Sequence, residues 1–147
     1  MKAINSWIYV CGQINNNSSV KIGNQTISNP NPGTKAFLAK FDTLGNTLWV
    51  KVEFGYGNAF KQMAVDNSGN VYISGILNDS IRLNGINHMI GIQKYDATFG
   101  TDRFLAKYDA NGNFGWVKGI GTRGFDYPYE NRNIGIDNSG NCFSSVK

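Results

Sequence analysis

The chain has 147 residues and a formal net charge of +4, from 14 Lys and Arg against 10 Asp and Glu. Its basic residues are scattered, which is typical of a solvated surface and excludes the clustered patch expected of a nucleic-acid-binding protein. With 18 glycines and many aromatic residues, and with no apolar run of about 18 residues, the chain predicts short strands and turns and no membrane-spanning helix.

The first predicted strand covers residues 7–11 and ends at Gly12. It parallels a second run, residues 70–74, which ends at Gly75. Both runs are rich in β-branched and aromatic residues on both faces, which indicates strands that are covered on both sides.

A polar excursion follows each of these strands, over residues 13–35 and 76–101. The first contains the turn Gly23-Asn24 and the second the turn Asn84-Gly85, and both predict small hairpins because these residues tolerate positive φ. Variable loops at one place of a repeated frame are where binding surfaces usually lie.

A self-match organises the middle of the chain. Residues 37–51 read F-L-A-K-F-D-T-L-G-N-T-L-W-V-K, and residues 104–118 read F-L-A-K-Y-D-A-N-G-N-F-G-W-V-K, with 10 of 15 positions identical. The offset is 67 residues (104 − 37). Such a match indicates that one structural unit is used more than once.

The motif D-x-x-G-N recurs four times between apolar runs, and each copy predicts a tight hairpin turn. The Asp carboxylate is expected to accept hydrogen bonds from N–H groups two and three residues on, and the Gly supplies a positive φ. The turn-forming residues are Asp42, Gly45 and Asn46, then Asp66, Gly69 and Asn70, then Asp109, Gly112 and Asn113, and finally Asp137, Gly140 and Asn141.

The predicted strands form a cycle of four, A to D, in the order B-C-D, A-B-C-D, A-B. Four antiparallel strands per repeat are typical of a β-propeller blade, and nine strands make about two and a quarter blades. The sequence therefore predicts an all-β, incomplete propeller within one domain, residues 1–147. Its parts are a partial blade at 5–53, a complete blade at 60–120 and a partial blade at 131–147.

These motifs resemble the bacterial β-propeller repeat family called SBBP, the seven-bladed β-propeller repeat. One part of its pattern matches residues 102–109 with Gly112, Asn113, Trp116 and Lys118, and the other matches Val65, Asp66, Gly69, Asn70, Val71, Tyr72 and Gly75. The chain departs from the pattern at Lys35, Phe41, Cys142 and Val146. The resemblance implies a bacterial, extracellular or cell-surface protein without shared catalytic residues, and it implies no particular ligand.

Two and a quarter blades cannot close a ring, and open blades leave apolar faces in water. We therefore expect either further blades of the same chain or assembly of several copies into a homo-oligomer. A fragment of a larger propeller is the favoured interpretation.

No catalytic or metal-binding residues are predicted. His88 is the only His, so no His-based metal cluster or His-activated nucleophile is available, and we expect it in an exposed loop. The four turn carboxylates are engaged by their own turns. Calcium is an alternative ligand there, but the Gly comes two residues early and no bidentate Glu closes the loop.

The recurring Trp49 and Trp116 are expected to pack blade against blade, with stacking on a sugar as the alternative. Lys40, Lys51, Lys107 and Lys118 recur with the frame and are interpreted as structural. Tyr127 and Tyr129, in an aromatic connector, are the candidate ligand surface. Cys11 and Cys142 are interpreted as strand residues, with a disulfide as the alternative.

The leading hypothesis is a non-enzymatic extracellular or cell-surface propeller that serves as a binding or scaffold module, without a cofactor, for a protein or glycan partner. One alternative is a carbohydrate-binding lectin assembled from repeated blades. Another is a part of a propeller hydrolase or lyase whose catalytic groups lie on other blades.

Overall fold

The computed structural model describes residues 2–4, 7–30, 33–55, 59–77, 81–88, 102–120, 134–137 and 141–144. Over these residues the secondary structure is strand without helix, which confirms the prediction of an all-β chain. The strands are β1 (Lys2–Ile4), β2 (Trp7–Ile14), β3 (Ser18–Ile22), β4 (Gln25–Asn29), β5 (Thr34–Asp42), β6 (Thr47–Gly55), β7 (Ala59–Val65), β8 (Val71–Leu77), β9 (Ile81–Leu83), β10 (Ile86–His88), β11 (Asp102–Tyr108), β12 (Phe114–Ile120), β13 (Ile134–Ile136) and β14 (Cys142–Ser144).

The first sheet has six antiparallel strands in the order β1-β2-β5-β6-β9-β10. Its centre is the predicted B-C-D unit, but the structure adds strands at both edges. β1 pairs with β2, with Lys2 opposite Tyr9, and β9 pairs with the end of β6 through Phe54 and Arg82. The sequence did not predict these two edge pairings, because pairing between distant main-chain segments leaves no local signal.

The second sheet has four antiparallel strands in the order β12-β11-β8-β7. Strands β7 and β8 are joined by the turn after Val65, and β11 and β12 by the turn after Tyr108. β11 pairs with β8 over its whole length, so that Lys107 lies opposite both Tyr72 and Trp116. The four strands therefore lie in the sheet in the order in which they occur along the chain.

Two smaller sheets complete the described part of the chain. One is the hairpin β3–β4 around Gly23, where Ile22 pairs with Gln25. The other is the hairpin β13–β14, where Ile136 pairs with Cys142. No sheet closes on itself within the residues that the structure describes.

The main hydrophobic core lies between the first and second sheets. Residues from both contribute to one buried cluster, including Tyr9, Leu38, Ile73, Phe104 and Tyr108. β7 lies against β2 and β5 of the first sheet and also against β13. A second, smaller cluster joins Ala64 and Tyr72 of the second sheet to Ile134 of the β13–β14 hairpin. The sheets are thus stacked face to face.

Among the described residues, no helix is long and apolar enough to cross a membrane.

Candidate functional site

The D-x-x-G-N turns have the same pattern of hydrogen bonds, formed separately within each turn. In the first turn, Oδ1 of Asp42 accepts from the N–H groups of Leu44 at 2.9 Å and Asn46 at 2.8 Å, and Oδ2 accepts from Nδ2 of Asn46 at 2.8 Å. The N–H of Gly45 donates to the main-chain oxygen of Asp42 at 3.1 Å. The N–H groups of Leu44, Gly45 and Asn46 therefore all bond to Asp42 of their own turn.

One detail of the predicted turn was wrong. The carboxylate accepts from residues two and four positions on, whereas the expectation was two and three. The third N–H belongs to the Gly and closes the turn on the Asp carbonyl, so it is not available to the side chain. The Asn46 side chain and the turn N–H groups hold the pKa of Asp42 below its usual value, and Asn113 does the same for Asp109.

The turn between β11 and β12 rests on the first sheet. The main-chain oxygen of Ala110 accepts two hydrogen bonds from that sheet, one from Nζ of Lys40 at 3.1 Å and one from Nε1 of Trp49 at 3.2 Å. A Cβ added at Gly112 would lie 3.0 Å from the Trp49 ring and 2.9 Å from Cε of Lys51. The turn therefore fits closely against Trp49 and Lys51 only because it carries Gly at that position.

The turn between β7 and β8 meets the same sheet beside it. The hydroxyl of Tyr9 donates to the main-chain oxygen of Gly69 at 3.4 Å. The Tyr9 ring packs edge-on against Trp49, with centroids 6.3 Å apart, and Nζ of Lys40 lies 5.3 Å from the centre of the Tyr9 ring. Lys40, Trp49 and Tyr9 thus form a single polar and aromatic contact with two turns of the second sheet.

A buried carboxylate also lies between the first and second sheets. Glu53 is 6% exposed; its Oε1 accepts from the hydroxyl of Tyr108 at 2.8 Å and its Oε2 from the N–H of Asn84 at 2.8 Å. Burial raises the pKa of Glu53, against the opposing effect of these two hydrogen bonds. Burial and the neighbouring Glu53 carboxylate also raise the pKa of Tyr108.

Sequence reasoning missed Glu53 because the repeat gives no signal there. Its equivalent in the second copy, 67 residues on, is Ile120. The one available sign was an acidic residue in an otherwise apolar strand, and such a residue is rarely buried without a partner.

His88 is not in an exposed loop, as expected from the sequence. It belongs to β10 and is partly buried, with its ring 5.2 Å from that of Phe114 on the second sheet. The reason is the attachment of the β9–β10 hairpin to β6, which carries His88 to the junction. The Phe114 ring in turn packs edge-on against Tyr108.

The structure places the two recurring tryptophans differently. Trp49 lies between the first and second sheets, whereas Trp116 lies on the second sheet's other face and is 36% exposed. Trp116 packs edge-on against Tyr72 at 6.4 Å, and Nζ of Lys107 lies 5.3 Å from the centre of the same Tyr72 ring.

The remaining predicted residues fall into two groups. Cys11 holds a free, partly buried thiol, and burial raises its pKa; Cys142 begins β14. Tyr127, Tyr129 and Gly140 lie outside the described residues. Within the described ranges, no group of three or more His, Cys, Asp or Glu is placed to hold a metal ion.

A scan against protein-family models finds no match to this chain, and a search of curated proteins finds no significant match. The resemblance to SBBP repeats therefore rests on the motifs themselves.

Proposed function

We propose that the chain is a module of stacked β-propeller blades that acts as a non-enzymatic binding or scaffold protein. The observation that carries the proposal is the contact at Ala110, where one turn oxygen of the second sheet accepts from both Lys40 and Trp49 of the first. All three residues belong to the repeated 15-residue segment or its turn, so the contact joins one repeat to the next.

The sheet arrangement supports blades over a flat sandwich of two unrelated sheets. The second sheet has four antiparallel strands that lie in their chain order, β7, β8, β11 and β12, and four antiparallel strands are the unit from which propellers are built. Its strand β7 contacts β2 and β5 of the first sheet and also β13 of the β13–β14 hairpin, as expected of a blade that packs between two others. The resemblance to SBBP repeats adds an extracellular or cell-surface location on a bacterium.

Four of the acidic residues that the structure describes support a frame function. The carboxylates of Asp42, Asp66 and Asp109 each accept from N–H groups of their own turns, and that of Glu53 is buried between the sheets. Carboxylates held in this way stabilise structure, whereas an acid–base pair requires two of them to converge on a substrate.

The lectin alternative makes a different prediction for Trp116, whose exposed ring is available to stack on a sugar. A glycan array probed with the wild-type chain and with Trp116→Ala distinguishes the two, and Leu44→Ala serves as a control at an exposed apolar position on another turn. The scaffold proposal expects no glycan signal that depends on Trp116. A glycan bound by the wild type and by Leu44→Ala, but lost in a folded Trp116→Ala, contradicts it and favours the lectin.

A further inference from the structure

The two faces that carry the recurring tryptophans are covered to different extents. On the first sheet, Leu38 is fully buried, Lys40 is 8% exposed and Glu53 is 6% exposed. Their equivalents on the second sheet, each 67 residues later, are Leu105, Lys107 and Ile120. Leu105 and Lys107 are only partly buried, and Ile120 is 46% exposed. Equivalent positions of the repeat therefore form a filled interface on the first sheet and a more exposed face on the second.

The β13–β14 hairpin covers only part of this open face. Ile134 packs with Ala64 of β7 and Tyr72 of β8, and Leu105 of β11 packs against the same cluster, so the hairpin lies over β7, β8 and the Leu105 part of β11. In the β11–β12 half, the β12 side chains Trp116 and Lys118 are exposed. In the described part of the chain β14 pairs only with β13, whereas its equivalent β8 pairs with both β7 and β11.

The turn that fills the first interface shows what fits the second. Lys40 and Trp49 direct two donors at one main-chain oxygen, that of Ala110, in a D-x-x-G-N turn. Lys107 and Trp116 provide the same two donors in the same register, opposite each other on β11 and β12. Lys118 stands where Lys51 lies against Gly112 on the first sheet.

We propose that the β11–β12 half of this face is a docking site for a β-hairpin with a D-x-x-G-N turn, supplied by a further repeat. The first strand of that hairpin pairs with the edge of β14 that faces away from β13. The main-chain oxygen after its Asp accepts from Nζ of Lys107 and Nε1 of Trp116, and its Gly lies against Trp116 and Lys118. This inference rests on the proposed stacking of repeated sheets and specifies the partner of the exposed face that carries Trp116.

The test extends the full chain after Lys147 with a Gly-Ser linker and a second copy of residues 34–55, in which the Trp equivalent to Trp49 is replaced by Phe. The copied segment contains a hairpin with the required turn. A short linker suffices because the ends of β8 and β11 are adjacent, with Leu77 opposite Asp102. The readout is hydrogen exchange of the Trp116 indole N–H, resolved by ¹H–¹⁵N spectra and assigned with Trp116→Phe.

Docking is expected to slow exchange at the Trp116 indole by about tenfold or more and to raise the urea midpoint of the extended chain. The matched control replaces the appended Gly equivalent to Gly45 with Val. A Cβ at Gly45 meets no atom within 4 Å, whereas one at Gly112 meets Trp49 and Lys51. The Val variant therefore abolishes the protection if the appended turn docks on Trp116 as the turn of residues 109–113 docks on Trp49.

Unchanged Trp116 exchange on extension, or equal protection with the Val variant, overturns the proposal. A concentration-dependent dimer of the unextended chain that Trp116→Ala dissociates also overturns it, because the face then belongs to a second copy. The Trp49 indole is the internal reference. Protection at Trp49 without an effect at Trp116 means that docking alone fails, whereas an unprotected Trp49 in every variant means that the sheet stacking itself, and with it the proposed function, fails.

Discussion

The hydroxyl of Tyr108 donates a 2.8 Å hydrogen bond to the carboxylate of Glu53, which lies 55 positions earlier in the chain. The bond joins β11 of the second sheet to β6 of the first in a buried environment. The second carboxylate oxygen is held by the N–H of Asn84, so three elements meet at one acidic side chain. Because the bond forms only when the two sheets are stacked, substitutions at Glu53 and Tyr108 report on that stacking.

Tyr108→Phe is expected to destabilise the fold by about 1–3 kcal/mol, because it leaves a buried carboxylate oxygen without its donor. In a Glu53→Gln background the same change should cost less, since a neutral amide loses less when its partner is removed. Urea unfolding of the two single variants and the double variant measures the coupling. Equal costs of Tyr108→Phe in both backgrounds would show that the two groups do not interact.

Glu53 should also give the stability a distinctive pH dependence. Its pKa is raised in the folded state above the ordinary value of 4.5, so its stabilising contribution is present below pH 4.5 and is lost as the pH rises through the folded pKa. The lowered pKa values of Asp42 and Asp109 act in the opposite sense: their contribution is present above the ordinary 3.8 and is lost as the pH falls through the folded values.

Urea midpoints measured from neutral pH down to acid pH test this difference. Glu53→Gln should remove the part of the profile in which stability falls between pH 4.5 and neutral pH, and it should keep the loss at more acidic pH. A wild-type profile that Glu53→Gln leaves unchanged above pH 4.5 would contradict the assignment of that slope to Glu53.

Two glycines form a matched pair for testing the inter-sheet contact. Gly45 and Gly112 occupy equivalent turns with φ of 86° and 79°, but only Gly112 faces Trp49 and Lys51. Gly45→Ala is expected to cost about 1–2 kcal/mol from backbone strain. Gly112→Ala should cost about 1–3 kcal/mol more because its Cβ overpacks the interface. The excess should shrink when Trp49 is replaced by Leu, and equal unfolding free energies for the two Ala variants would argue against the contact.

Within one D-x-x-G-N turn, the loss of stability on substitution should follow the number of hydrogen bonds that the side chain makes. Asp66→Ala removes the acceptor for the N–H groups of Ser68 and Asn70 and for the Asn70 side chain, at a cost of about 1–3 kcal/mol. Asn70→Ala removes the side-chain donor alone and should cost about 0.5–1.5 kcal/mol. Ser68→Ala is the control, because Ser68 takes part in this network through its N–H; a cost equal to that of Asp66→Ala would refute the assignment.

The sequence predicted the strands and turns well because their signals are local. A D-x-x-G-N motif carries all the groups of its own turn, and a strand apolar on both faces, such as residues 70–74, indicates its own burial. What it could not predict are the attachments between distant segments, namely β1 on β2 and β9 on β6. These pairings depend on main-chain groups that every residue has.

The contact between the first and second sheets was predicted only in part, because only its recurring residues carried a signal. Trp49 recurs, and recurrence indicated that it packs within the frame, yet no feature of the sequence named the Ala110 oxygen as its partner. Glu53 and His88 occur once each, so the repeat provided no second example from which to infer their burial. Their positions follow from which sheet the β9–β10 hairpin joins, and that is decided by tertiary contacts.

The stacking of the first and second sheets through Trp49 is tested most directly by NMR of the folded chain. An Hα proton of Gly112 points at the indole, because a Cβ built in that direction lies 3.0 Å from the ring. This contact predicts nuclear Overhauser effects between Gly112 Hα and the Trp49 ring protons, and an upfield shift of that Hα relative to the Hα protons of Gly45. Similar shifts for the two glycines, with no Overhauser effect from Gly112 to Trp49, would contradict it.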